Sequence, residues 1–171
     1  MGKRSTFARR AQDAYDTPAE AVAPLVPHLP ASFAYWEPCA GSGRLFWALP
    51  GNCMMATDIE PRHRHVDQAD ALTVSAPKHS DYIITNPPWT REILHPMIVH
   101  FSDMRPTWLL FDADWMHTKQ AIPFLSRCCK IVSVGRVKWI EDSKHTGKDN
   151  AAWYLFDARN TAPTRFYGRA A

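Results

Sequence analysis

Phe33-Ala34-Tyr35-Trp36-Glu37-Pro38-Cys39-Ala40-Gly41-Ser42-Gly43 is the stretch on which the reading of this chain turns. Residues 33–37 are a short aromatic run of the kind that fits a pleated, half-buried surface. A proline and two glycines then force a turn, and residues 44–49 read as helix formers. Glycines at 41 and 43 let the backbone approach a ligand and leave the start of the following helix open to a negative group.

The same alternation continues outward in both directions. Residues 52–57 form a second strand that ends at Asp58, and a short third strand is expected near His65 and Val66. A further clear strand, residues 81–85, is stopped by Asn86-Pro87-Pro88-Trp89. A helix over 91–101 and a strand over 107–111 follow, and residues 118–128 read as helical. Residues 130–140 and 151–157 alternate apolar and polar positions around a polar stretch, 141–150, which predicts a long hairpin. Upstream, Asp16-Thr17-Pro18 reads as a helix start, with Asp or Thr as cap, proline in the first turn and formers at 19–25. Strands alternating with helices predict an α/β fold with a mostly parallel sheet and an antiparallel C-terminal strand. No repeat or linker interrupts the pattern. One domain over residues 15–160 is expected, flanked by a basic arm, 1–14, and a basic tail, 161–171.

Composition narrows the classes. Apolar residues make up 46% of the 171 positions and seven are Trp, which excludes a disordered chain. No apolar run approaches the ~18 residues of a membrane span, and the opening MGKRSTFARR lacks the apolar core of a secretory signal. Cys39, Cys53, Cys128 and Cys129 show no CxxC spacing, so reduced thiols and a cytoplasmic setting are expected. The net charge of +3 divides unevenly, with +7 in residues 1–10 and 159–171 and −4 in everything between. A near-neutral body with basic ends suits phosphate contacts, and equally a pair of solvated tails.

In an open α/β sheet, ligands gather beyond the carboxyl ends of the strands. Glu37 with its glycine turn, Asp58, Asn86-Pro87-Pro88-Trp89 and Asp112-Ala113-Asp114-Trp115 all fall there. Asp58 stands 17 residues beyond Gly41, at the end of the next strand, where a carboxylate can take both hydroxyls of a ribose. A nicotinamide-binding turn would want a third small residue for close helix packing, and that position is Phe46. Asp70, followed by Ala71 and Leu72, can accept from an adenine amino group or cap a local turn.

Asn86-Pro87-Pro88-Trp89 is the sharpest signal. Two prolines remove backbone donors and leave carbonyls as acceptors. The Asn86 side-chain oxygen and a neighbouring carbonyl can then accept both hydrogens of an amino group. This draws the nitrogen lone pair out of conjugation and toward an electrophile, while Trp89 offers a face for a planar base.

With these residues in order, the chain resembles the class I S-adenosylmethionine-dependent methyltransferases, in particular the N6-adenine DNA methyltransferases. The resemblance implies a Rossmann-like methyltransferase fold and S-adenosyl-L-methionine as cofactor. It places the segment Tyr15-Asp16-Thr17-Pro18, with Tyr15, Thr17 and Pro18 as its contacts, over the cofactor's methionine part and Glu37, Pro38, Cys39, Ala40, Gly41 and Gly43 in the cofactor loop. Asp58 with Ile59 stands at the ribose, Asp70 with Ala71 at the adenine, and Asn86 beside the cofactor. Asn86, Pro87, Pro88 and Trp89 match the catalytic (D/N)PP(Y/F/W) motif. Enzymes that read a defined DNA sequence carry a target-recognition domain, whereas only 82 residues follow Trp89 here. The similarity is to minimal, phage-type members, which implies low sequence specificity and a host cytoplasm.

A base inside a duplex cannot reach such a pocket, so the target adenine must be flipped out or single-stranded. Arg4, Arg9, Arg10, Lys144, His145 and Lys148 are the expected phosphate contacts. The same amine grip also suits RNA or a protein glutamine, and a non-catalytic, nucleic-acid-binding protein that keeps the cofactor pocket is the rival from another class. Asp112 and Asp114 read first as helix caps. His63, His65 and Asp67 lack metal-ligand spacing, and no metal is expected. Cys128 and Cys129 read as packed thiols, and Trp153 and Tyr154 as core.

Overall fold

A computed structural model describes residues 15–140 and 147–169. Eight strands form one sheet: β1 (Ala34–Glu37), β2 (Asn52–Asp58), β3 (Asp67–Gln68), β4 (Tyr82–Thr85), β5 (Thr107–Asp112), β6 (Cys128–Arg136), β7 (Asn150–Phe156) and β8 (Arg165–Tyr167). Their order is β3-β2-β1-β4-β5-β7-β6-β8. Strands β1 to β5 pair in parallel, and β7 runs antiparallel between β5 and β6. The predicted hairpin is therefore present. Order reverses between β1 and β4, which makes the crevice above those two strands the topological switch point.

Period-two alternation explains why these strands take two covers. Trp36, Ile83, Leu109, Phe111 and Tyr154 pack on one face, against the long helix α3 (Arg91–Met104). Tyr35, Ile84, Trp108, Leu110 and Trp153 pack on the other, with Val22 and Leu25 at the chain's start and Leu45 of helix α2 (Arg44–Ala48). Trp153 and Tyr154 are fully buried, and each polar end finds a carbonyl. Trp153 Nε1 donates to Ala21 O at 2.8 Å, and Tyr154 Oη donates to Ala113 O at 3.0 Å.

Several expected boundaries move. The first helix, α1, is Ala19–Val22 with Pro18 as its N-cap residue and no side-chain cap, followed by a 3₁₀ turn at Val26–His28. Asp16 does not cap it, because its carboxylate is engaged elsewhere. The third strand begins at Asp67 rather than His65, since Val66 N closes a turn onto His63 O at 3.0 Å. The expected helix over 118–128 breaks into a 3₁₀ turn, Lys119–Ala121, and a single α-turn, α4 (Ile122–Leu125), with Pro123 in its first turn. Cys128 is already in β6 and buried. Within residues 161–171, Arg165–Tyr167 form β8, which pairs in parallel with β6.

Candidate cofactor and substrate site

Three strand ends are stitched together at the switch point. Gly41 (φ 53°) and Gly43 (φ 83°) take the left-handed conformation that the turn requires. A Cβ on Gly43 would lie 2.4 Å from the Phe46 ring, so the space is closed as well. From this loop Cys39 N donates to Thr85 Oγ1 at the end of β4 (3.2 Å), and Ala40 N to Thr57 O on β2 (2.9 Å). Asp58 takes Gly41 N on one oxygen and Glu60 N on the other, both at 2.8 Å. Each carboxylate oxygen keeps a lone-pair site for a further donor.

Above these ends lies a cavity of about 700 Å³, within the range of small-molecule sites. Glu37, Pro38, Cys39, Ala40 and Gly41 form its floor, and Asp58, Ile59, Asp70 and Ala71 one side. Tyr15 and Thr17 enter from the start of the described chain, and Asn86 and Pro88 stand on the opposite wall. Of the residues expected at the cofactor, Pro18 and Gly43 lie off this surface. Of the catalytic tetrapeptide, Pro87 is buried and Trp89 stands outside the wall. Asp70 Oδ1 accepts from Leu72 N at 2.9 Å, so it caps its own turn and also faces the cavity.

Glu37 is the unusual group. It is 2% exposed, and its Oε2 has no hydrogen-bond partner among the described residues. Burial raises its pKa well above the ordinary carboxylate value; the Phe46 amide partly offsets this, and the neighbouring Asp58 adds to it. An orphaned, buried acceptor on a cavity floor fits a ligand that brings a donor to it. Burial beside Asp58 likewise pushes the Cys39 thiol up, so it lies there protonated.

Asn86 is held at both ends. Trp89 Nε1 donates to its Oδ1 at 3.2 Å, and its Nδ2 donates to Tyr15 O at 3.5 Å. This orients the amide and leaves one lone pair of Oδ1 for an incoming donor. The Trp89 ring meets Trp139 at 5.7 Å and 86°.

Arg62 and Trp139 escaped the sequence reading, and Asp16, expected in the segment over the cofactor, has bonds that reading did not foresee. Asp16 Oδ1 accepts from Ser42 Oγ at 2.6 Å and from Arg62 Nη2 at 2.8 Å, while Arg62 N donates to Gly41 O at 3.0 Å. Asp16, the glycine loop and the β2–β3 connection are thus joined at the cavity rim. Trp139 falls within the expected strand run 130–140, yet it lies beyond β6. Its isolated aromatic bulk beside a loop was the available signal. Asp112 Oδ1 accepts from Asp114 N at 3.0 Å and caps the 3₁₀ turn Ala113–His117, as expected of it. Burial, with Asp114 and Asp149 near, raises its pKa.

Arg4, Arg9, Arg10, Lys144 and His145 lie outside the described residues, and Lys148 is exposed. Among the described residues no group of three His, Cys, Asp or Glu could hold a metal, and no helix is long and apolar enough to cross a membrane.

The sequence matches no protein-family model and no curated protein. Solved structures do match in shape. A candidate RNA methyltransferase from Pyrococcus horikoshii superposes with a TM-score of 0.58 at 14% identity, over 91% of this chain and 91% of that one. The fold is that of class I methyltransferases. A dimethyladenosine transferase from Plasmodium falciparum gives 0.55 at 17% identity, over 83% of this chain and 62% of that one. The M protein of the type I restriction enzyme EcoKI gives 0.56 at 9% identity, over 83% and 44%. The chain therefore spans less than two-thirds of the length of the last two. The orphaned Glu37 acceptor and the Asp58 carboxylate fit a ligand rich in donors, as the S-adenosyl-L-methionine implied by the sequence resemblance would be.

Proposed function

We propose that this chain is an S-adenosyl-L-methionine-dependent methyltransferase that modifies the N6 amine of adenine in DNA, with low sequence specificity. The observation that carries this reading is the placing of Asn86 and Pro88 on one wall of a cavity whose floor and far side are Glu37, Gly41, Asp58 and Asp70. When bound, the cofactor supplies an electrophilic methyl carbon. Every other task falls to the chain. Asp58 accepts ribose hydroxyls, Asp70 accepts from the cofactor's adenine, and Glu37 accepts an amine at the floor. Asn86 Oδ1 and the Pro87 carbonyl accept the two hydrogens of the target amine, aligning its lone pair. Trp89, set at a right angle to Trp139, gives the extruded base an aromatic surface. Arg4, Arg9, Arg10, Lys144, His145 and Lys148 are the proposed phosphate contacts.

RNA is the second reading, favoured by the adenosine- and RNA-modifying neighbours named above. The test is transfer of a labelled methyl group to single- and double-stranded DNA and to RNA, followed by nucleoside mass spectrometry. N6-methyldeoxyadenosine as the main product supports the first reading. N6-methyladenosine in RNA alone would replace it with the second.

A further inference from the structure

Helix α2 and the loop between β2 and β3 carry an aromatic surface that the reaction does not use. Trp47, at the end of α2, leaves 68% of its surface in solvent, an unusual state for so large an apolar ring. It begins an unbroken run of four rings. Phe46 lies 4.9 Å from Trp47, His63 lies 6.2 Å from Phe46 and 6.3 Å from Trp47, and His65 lies 5.2 Å from His63. The last two come from the loop between β2 and β3. There Arg64 Nε donates to His65 Nε2 at 3.2 Å, which holds an exposed guanidinium beside the rings. Arg44 and Arg62 are exposed on the same two segments, and both also line the cavity rim. Glu60 is the exposed acid of this loop, and Asp67 follows in β3. Asp58 is turned inward onto the Gly41 and Glu60 amides.

We infer that this surface is a track for single-stranded nucleic acid, with a base stacked on Trp47 and a phosphate on Arg64. Sequence-tolerant single-strand binding combines exposed aromatic faces with flanking cations, and both are present here. A second copy fits less well, since a two-fold pairing through this face would oppose the same arginines. The placement also suits a strand that continues to the catalytic wall. Trp47 follows β1 and Arg64 follows β2, and only β1 separates β2 from β4, whose end carries Asn86. The polymer's class rests on the proposed function, but the track itself is independent of the chemistry.

Fluorescence-anisotropy titration of the full chain with oligothymidylate of about 12 nucleotides tests it, because thymine offers no exocyclic amine to the Asn86 grip. Trp47→Ala is expected to weaken binding about tenfold, Trp47→Phe to retain most of the affinity, and Arg64→Ala to lower the slope of log affinity against log salt by about one. Unchanged affinity in both Trp47→Ala and Arg64→Ala overturns the inference. So does a wild-type dimer that Trp47→Ala turns into monomer without altering oligonucleotide affinity. Loss of methyl transfer with Trp47-dependent binding intact would instead count against the reaction and leave the track standing.

Discussion

The two halves of the sheet are built for different work. From β5 rightward, Thr107–Asp112 pairs with β7 along its whole length, and β7 pairs with β6 from Asn150 to Phe156. Both faces there are filled by rings, with Phe111 stacked on Tyr154 at 4.2 Å and Trp115 edge-on to both. From β4 leftward the strands pair over shorter stretches. β1 meets β4 only at Tyr35 and Trp36, and β3 consists of Asp67 and Gln68. The polar groups of this half are spent on tying loops around a cavity. A half with long ladders and stacked rings thus stands beside a half whose loops are tied by hydrogen bonds, the arrangement of a site set on a supporting scaffold.

The contrast can be broken from either side. Trp153→Ala should cost about 3–5 kcal/mol in a denaturant titration, because a fully buried ring and its bond to Ala21 O are both lost. A loss under 1 kcal/mol would deny the right half its structural role. Asp58→Ala should act on the other half, weakening cofactor affinity in a calorimetric titration by about 1.5–3 kcal/mol, with a smaller cost to folding from the freed Gly41 and Glu60 amides. Equal loss in affinity and stability would blur the two halves.

Glu37→Gln sharpens the comparison through pH. The buried carboxyl has its pKa raised in the folded state, so the fold holds the proton more tightly than the unfolded chain does. Its stabilising effect is complete below the ordinary value near 4.5 and is lost as pH rises toward the folded value. Melting temperatures of the wild type should therefore fall relative to Glu37→Gln as pH rises, and parallel curves would show that burial does not act on this group. The smallest effect expected is at the rim. Asp16→Asn or Arg62→Ala should speed cofactor dissociation several-fold with melting little changed, because a partly exposed pair contributes about 1 kcal/mol or less.

What was legible in the sequence follows the same division. The glycine turn, Asp58 and Asn86-Pro87-Pro88-Trp89 announce themselves because each needs residue types that local geometry demands. Asp16 was misread because its partners, Ser42 and Arg62, are distant in sequence and outcompete the local helix end. β8 went unseen because a three-residue strand carrying Arg165 looks like the rest of a charged tail, and only its pairing with β6 defines it. Pro123 inside an otherwise helical run is the visible reason for the break at α4.

Asn86, on the cavity wall, is the residue proposed to grip an adenine amine. Labelled-methyl transfer to an adenine-containing single-stranded oligonucleotide, by the wild type and Asn86→Ala side by side with cofactor binding measured on both, tests it most directly. Cofactor affinity within a few-fold of the wild type and a rate reduced by about a thousandfold are expected of the variant. Turnover within a few-fold of the wild type would contradict it.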